Sequence, residues 1–560
     1  MVARFVRKKL LEKALAKIEK RRGRGFESRR VHHLKPKVYF MNFKQNKISI
    51  VLILALFMLS ILIILTIYNK VGLGWDFTDI YLTGKSLVTP AFYQQSLPLN
   101  NTYIVSYNGN LYRYGSYFFI TPSHIYLSLV REPLVPVFLA LFLLISHAYA
   151  MQIYFIFLLI LLILSSFYVS KKLGINPLIL VSLLLAPYLL QWTVLYTSQE
   201  MLSIVFALIA IGLLAKKSPF VGIALALVGL TKYPGLILFP LILLLFERNN
   251  VKKSIIKLFE AVAFFFVTTL PWLLFNFMYF SNPLLSYELS LSEALSNNGA
   301  VSIFNIFNAL DQFPAILTYP LLIIAGCLII KLIRVNVKNR KNAVFNKMTN
   351  SFTTEHLENR TTKSGAISRI FLLDYKYKII LSFIFLSSIG FILVYNNVGA
   401  PERFGYLLYA SVALLSTLML KSITNEFSAI GKFIPYFISG LSIISLIFMY
   451  FFSLPAIEQT IINFEGSVNN ATILNAVAYL NHTNLAGCSV VSNAQPFLNY
   501  YNITAYDSAT LCSLAESHYP IVLFKDIGPA IYCNYPINSN AIPSSGYVIA
   551  VPANYICQRS

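Results

Sequence analysis

The chain is 560 residues long, 57% hydrophobic and only 12% charged, with a formal net charge of +23; ordinary soluble domains are roughly a quarter charged. That composition excludes a water-soluble globular protein of this length. The excess of basic residues would point to nucleic acid in a soluble chain, but here the charges sit between long apolar runs. The first run, residues 48–67, has 20 positions without a charge, long enough to cross a bilayer as a helix. The sequence therefore predicts an all-α polytopic membrane protein, with no nucleic-acid partner needed to explain its lysines.

Residues 1–47 carry 16 Lys/Arg against 3 acids, a basic cytoplasmic tail by the positive-inside rule. Within it, Gly23 to Arg30 reads like the translated end of a tRNA gene, and Met41 opens a natural signal-anchor start. Residues 1–40 are accordingly expected to be a mis-assigned start; a disordered basic tail beside anionic lipid explains them equally.

Lys/Arg in the short loops then sets the direction of each later span. Residues 48–67 go outward, 150–170 return to Lys171 and Lys172, 177–197 go out, and 201–215 return to Lys216 and Lys217. Residues 219–230 and 234–246 are each too short for an untilted crossing and meet at Thr231-Lys232-Tyr233-Pro234, which predicts a hairpin with its tip toward the outer face. Residues 256–277 go out, 314–330 come in, 379–394 go out, 404–420 come in and 433–453 go out, giving about 11 transmembrane helices with the N-terminus cytoplasmic and the C-terminus extracytoplasmic. Residues 134–146 fit this order only as a shallow or re-entrant helix. Sorted this way, the inner segments hold 37 Lys/Arg and 9 acids and the outer ones 8 and 13, so the net charge is an orientation signal.

The expected organisation is thus a basic tail (1–47), a membrane domain (48–455) with a first outer loop (70–133) and a basic cytoplasmic loop (331–378), and an extracytoplasmic C-terminal domain (456–560). β-prone runs at 489–491, 521–524 and 547–551 beside a helical stretch near 473–480 predict a small α/β domain there. Its cysteines, Cys488, Cys512, Cys533 and Cys557, suggest two disulfides in any of three pairings. Asn470, Asn481 and Asn502 open Asn-x-Thr tripeptides in it, and Asn100 opens one in the first loop, acceptors for glycosylation in a cell that glycosylates.

Charge on the outer side is scarce, so its ionisable residues are the functional candidates. Asp76 and Asp79 fall three residues apart just after the first span, on one face of any helix there. A carboxylate at that surface can accept a proton from a hydroxyl, and helix capping explains the pair about as well. Gln199 and Glu200 stand at an outer turn. Lys232 is the only basic residue between Lys217 and Arg248, at the hairpin tip, suited to a lipid phosphate or simply snorkelling. Arg403 is the only one between Lys378 and Lys421, and either pairs with Glu402 or binds an anion. No histidine or cysteine spacing marks a metal site and no phosphate-binding glycine loop occurs, so no cofactor is expected; whether a divalent metal takes part is open.

In order and sidedness these segments resemble the GT-C superfamily of integral membrane glycosyltransferases, and most of all the polyprenyl-phosphate-mannose-dependent enzymes of bacteria and archaea. The residues that carry the resemblance are Asp76 with Ile80-Tyr81 and Gly84; Tyr117 to Pro122; Ser198-Gln199-Glu200, where the pattern has Gly first; Gly222 to Lys232-Tyr233-Pro234; Pro271-Trp272 with Asn282-Pro283; and Glu402-Arg403-Phe404. The resemblance covers about 48–455 and leaves out the cysteine-bearing tail. It implies transfer of a hexose, mannose in the nearest relatives, from a polyprenyl- or dolichyl-phosphate donor to a glycan, lipid or protein acceptor at the outer face. Asp76 would be the general base with Asp79 beside it, Lys232 and Arg403 would bind the donor phosphate, and Gln199, Glu200, Tyr81 and Tyr233 would shape the sugar and acceptor site. A polytopic transporter or lipid-linked sugar flippase is the alternative; internal repeats and midplane polar residues, its marks, are not seen.

Overall fold

The computed structural model describes residues 43–73, 75–88, 104–107, 110–113, 118–120, 126–128, 132–186, 199–247, 250–280, 282–288, 317–318, 320–330, 375–395, 405–426, 431–456, 470–483, 485, 490–492, 494–501, 503, 505–506, 521–525, 537–541 and 547–552. Met1–Ile48 and Ser49–Ser560 form two units. Of the first, only the opening turns of α1 (Phe43–Val71) are described.

In the second unit, α2 (Trp75–Val88) follows α1 and is succeeded by two antiparallel two-stranded pairs, β1 (Ile104–Tyr107) with β2 (Asn110–Arg113) and β3 (Phe118–Ile120) with β4 (Tyr126–Ser128). Next come α3 (Leu134–Ile145), α4 (Ala150–Leu173), α5 (Pro177–Leu184), α6 (Gln199–Ala215) and α7 (Val221–Thr231). A 3₁₀ segment, Tyr233–Leu245, precedes α8 (Val251–Phe280), α9 (Pro320–Ile330), α10 (Tyr375–Tyr395), α11 (Tyr406–Glu426) and α12 (Ile434–Phe448). Among the described residues, six helices are long and apolar enough to cross a membrane: Lys47–Lys70, Ala150–Leu173, Val251–Met278, Tyr375–Leu393, Tyr406–Thr424 and Ile434–Ala456. The protein is therefore multi-pass. Leu134–Ile145, Gln199–Ala215, Val221–Thr231, Tyr233–Leu245 and Pro320–Ile330 are apolar but shorter, so six of the expected eleven crossings have a helix of spanning length among the described residues.

The hairpin expected around Lys232 is present. α7 and the 3₁₀ segment pack on each other and turn at Lys232, whose backbone is extended (φ −155°, ψ 118°). Pro234 sets that turn, because a proline at the first helical positions is pre-shaped for a helix start and bars the preceding residues from continuing one. The second limb winds as 3₁₀ instead of α, with Pro240 inside it, whose missing N–H leaves one i→i−3 bond of that winding unmade. α7 also crosses α8 closely at Gly222, where a Cβ would overlap the carbonyl oxygen of Ala261.

α3 is 12 residues long and rises about 18 Å, short of a hydrocarbon core of about 30 Å. Its inward face, Val135, Leu139 and Leu143, is buried, and Phe142 meets Tyr154 and Phe157 in the first turns of α4. It packs against the first turns of α4.

Apolar contact does not by itself hold helices together in lipid; close packing and interhelical hydrogen bonds do, at roughly 0.6 kcal/mol per bond. The Ser182 and Ser439 hydroxyls bond at 2.8 Å between α5 and α12. Tyr409 in α11 donates to the Leu183 carbonyl at 2.7 Å, and Ser416 donates to the Pro320 carbonyl at 3.0 Å.

One end of the bundle collects lysines. Tyr375 at the start of α10 donates to the Leu214 and Leu244 carbonyls at 3.2 and 2.9 Å, Lys376 donates to the Leu173 carbonyl at 2.9 Å, and Lys217 pairs with Glu247. Glu247, beside Lys217, is held below the usual carboxylate range by that contact. The opposite end carries the start of α6 and the hairpin tip.

The C-terminal residues build a five-stranded sheet in the order β6-β5-β7-β9-β8, from β5 (Val490–Ser492), β6 (Ala505–Tyr506), β7 (Ile521–Lys525), β8 (Ile537–Ala541) and β9 (Tyr547–Pro552). β5 runs parallel to β6 and β7, and β9 antiparallel to β7 and β8. The three β-prone runs read from sequence are β5, β7 and β9. α13 (Ala471–His482) and α14 (Gln495–Tyr500) accompany the sheet, and α14 packs on α2 through Tyr500 and Tyr81, ring centroids 5.5 Å apart. Asn470 caps α13, accepting from the Thr472 N–H at 3.0 Å. Cys488, Cys512, Cys533 and Cys557 lie outside the described residues; Cys327 is buried in α9.

Candidate active site at the hairpin tip

A buried polar cluster occupies the end of the bundle opposite the lysines. α6 begins with Gln199 and Glu200, 2% and 1% exposed; a carboxylate in the first turn of a helix is favoured by the N-terminal dipole. The hairpin brings Lys232, 5% exposed, against α6, and its ammonium forms an ion pair with Glu200. The Lys232 nitrogen lies 6.0 Å from the centre of the Tyr406 ring at the start of α11, and Ser203 donates to the Tyr406 hydroxyl at 3.5 Å.

Glu132, 6% exposed and just ahead of α3, completes the cluster. One of its carboxylate oxygens accepts from Gln199 Nε2 at 2.9 Å and the other from the Tyr233 backbone N–H at 2.9 Å. It thereby caps the start of the 3₁₀ segment from another part of the chain, satisfying a donor that a helix start leaves open. Four elements remote in sequence are tied together in this way: the approach to α3, α6, the hairpin tip and α11.

Aromatic surface adjoins these charges. The Tyr233 and Tyr287 rings lie 4.5 Å apart between centroids, and the Tyr233 hydroxyl sits beside Trp272 and Ser286. Burial and the nearby Glu132 charge push the Tyr287 phenol up to about 12. Asn276, fully buried in α8, donates to the Pro283 carbonyl at 3.3 Å and accepts from Ser286 at 3.1 Å, which fixes the segment carrying Tyr287.

Of the residues expected from sequence, Gln199, Glu200, Lys232 and Tyr233 meet in this cluster. Tyr81 does not join them in any described contact; its ring rests on Tyr500. Asp76 and Asp79 lie in α2, whose side chains at those positions are outside the described set, and Arg403 also lies outside it. α2 packs along α3, so its backbone stands one helix away from Glu132. Glu132 and Tyr406 are additions that the sequence reading missed. The signals were present: an acid directly before an apolar helix, in a segment read from the sequence as outer and poor in basic residues, and a tyrosine three residues after Arg403. Among the described residues no group of three or more His, Cys, Asp or Glu side chains is arranged to hold a metal ion.

Fold and site together define a multi-pass helical membrane protein with a desolvated ionic cluster at one end of the bundle and a mixed sheet after the last span. The chain is similar to one solved structure, the crystal structure of ArnT from Cupriavidus metallidurans bound to undecaprenyl phosphate. The identity is 10% and the TM-score 0.47, over 90% of this chain and 97% of that one. No protein-family profile matches the chain, nor does any curated protein.

Proposed function

We propose that this protein is a GT-C-type glycosyltransferase that moves a hexose from a polyprenyl- or dolichyl-phosphate donor to an acceptor at the outer membrane face. The observation that carries the reading is the buried Lys232–Glu200 pair, braced by Gln199 and Glu132, at the end of the bundle away from the lysines. The positive-inside bias makes that end extracytoplasmic, where a lipid-borne sugar is available and a nucleotide sugar is not.

In the proposed reaction the acceptor hydroxyl oxygen attacks the anomeric carbon. The bond from that carbon to the phosphate oxygen breaks, and its electron pair stays on the departing lipid phosphate. Asp76 takes the hydroxyl proton, with Asp79 beside it. Lys232, with Arg403, offsets the charge gained by the leaving phosphate, a role in which a fixed cation in a low-dielectric site is effective. Glu200 holds the Lys232 ammonium in place until the phosphate arrives, Gln199 and Tyr233 line the sugar, and Tyr81 belongs to the acceptor side. Mannose is the hexose to which the sequence resemblance points. The four C-terminal cysteines pair as two disulfides in the exported sheet domain.

Membranes containing the full chain, supplied with polyprenyl-phosphate hexose, test this directly. Asp76→Asn is expected to lower sugar transfer by about 10²–10⁴-fold, with the protein still present in the membrane at wild-type level. Undiminished transfer would sink the assignment of Asp76, and no transfer by the wild type with any lipid-linked hexose would sink the activity.

A further inference from the structure

Four lysines that are distant in sequence gather at the basic end of the bundle. Lys172 lies at the end of α4, Lys216 just after α6, Lys376 at the start of α10 and Lys421 in the last turns of α11. The Lys172 and Lys216 ammonium nitrogens stand 5.6 and 5.9 Å from the centre of the same ring, Tyr168, and their charges repel each other directly. Tyr168 is seated on α6 because position 212 is glycine; a Cβ there would overlap its ring. At Gly174, the left-handed residue that ends α4 (φ 67°), a Cβ would lie 3.2 Å from Lys421 Nζ and 3.7 Å from Lys376 Nζ.

A helix C-terminus favours a nearby cation, which accounts for Lys376 on the Leu173 carbonyl. It does not account for two ammonium groups over one ring, where like charges repel. Among the described residues, the ion pair at this end, Lys217 with Glu247, involves neither Lys172 nor Lys216. An anion bound between these lysines would remove the repulsion.

The surface leading to the cluster says which anion. Ile160, Leu164 and Phe167 are 42%, 59% and 40% exposed, and with exposed Lys171 they follow the four- and three-residue spacing of one helix face. That apolar stripe along α4 ends at the lysines. An acyl chain lying on it would deliver a headgroup to them. We propose that this cluster is a binding site for the phosphate of an anionic phospholipid, with Lys172 and Lys216 as its principal contacts. Basic pockets between spans on the cytoplasmic side are suited to such headgroups.

The test uses the purified full-length chain and native mass spectrometry with phosphatidylglycerol and phosphatidylcholine as probes. The wild type is expected to retain phosphatidylglycerol in preference to phosphatidylcholine. Lys172→Gln with Lys216→Gln should weaken that preference by roughly thirtyfold, and Lys172→Arg with Lys216→Arg should keep it. Lys252→Gln with Lys253→Gln removes the same charge at the same end but outside the cluster, and should keep it too. Equal binding of the two lipids by the wild type would overturn the proposal. So would an equal loss in the Lys252/Lys253 pair, which would make the effect one of overall charge. Inorganic phosphate displacing the lipid at equal concentration would also overturn it, because the apolar stripe would then contribute nothing. Should the double glutamine variant not be recovered folded, Lys216→Gln at its exposed position decides by the same comparison.

Discussion

Lys232 and Glu200, 32 residues apart in sequence, form an ion pair in which neither side chain is more than 6% exposed. Each ion leaves water at a cost of several kcal/mol, and mutual attraction with good geometry offsets that cost. The hairpin tip is therefore fastened to α6 by a contact that works only when both partners are present.

Removing one partner leaves the other buried and uncompensated. Lys232→Met and Glu200→Gln should each destabilise the detergent-solubilised protein by about 3–5 kcal/mol. The double variant should be more stable than the sum of the two losses implies, yet lack the proposed sugar transfer. A thermal-unfolding cycle in which the two effects simply add would contradict the pairing.

Glu132 uses both carboxylate oxygens, toward Gln199 and the Tyr233 N–H. An amide in its place offers one acceptor and turns an NH₂ toward a donor. Glu132→Gln is expected to cost about 1–3 kcal/mol and to reduce transfer by shifting the hairpin tip, with the larger effect on turnover. Wild-type stability and turnover in that variant would show that the brace is not needed.

The Tyr287 phenol, raised to about 12 by burial and by Glu132, has a definite pH consequence. A tyrosine whose folded value lies above its unfolded value of about 10 stabilises the native state fully below pH 10, and that contribution is lost as pH rises from 10 through 12. Difference absorbance titration of wild type against Tyr287→Phe should therefore show the missing phenol ionising near pH 12. Ionisation near pH 10 would place Tyr287 in water and away from Glu132.

Gly222 lets α7 approach α8 until a Cβ would overlap the Ala261 carbonyl oxygen. Backbone cannot swing aside as a long side chain can, so Gly222→Ala should cost about 1–3 kcal/mol through overpacking. Because the hairpin hangs on α7, transfer should fall as well. A variant as stable as wild type would mean that the two helices do not cross there.

The sequence by itself determined the membrane character, the alternation of Lys/Arg-rich and Lys/Arg-poor loops, the hairpin around Lys232, and Gln199, Glu200 and Tyr233 as site candidates. These follow from apolar run length, from Lys/Arg bias and from a proline after a polar turn, all of them local along the chain. Tertiary structure decided what a local pattern does not contain. It paired Lys232 with Glu200, brought Glu132 across 67 residues to Gln199, set Tyr406 over the cluster, seated Tyr81 on Tyr500 and gathered Lys172, Lys216, Lys376 and Lys421 at one end. The physical reason lies in how helices associate in lipid. Apolar surface does not select one partner over another there, so small residues and a few buried polar groups choose which helices touch, and their effect appears only once the helices are packed.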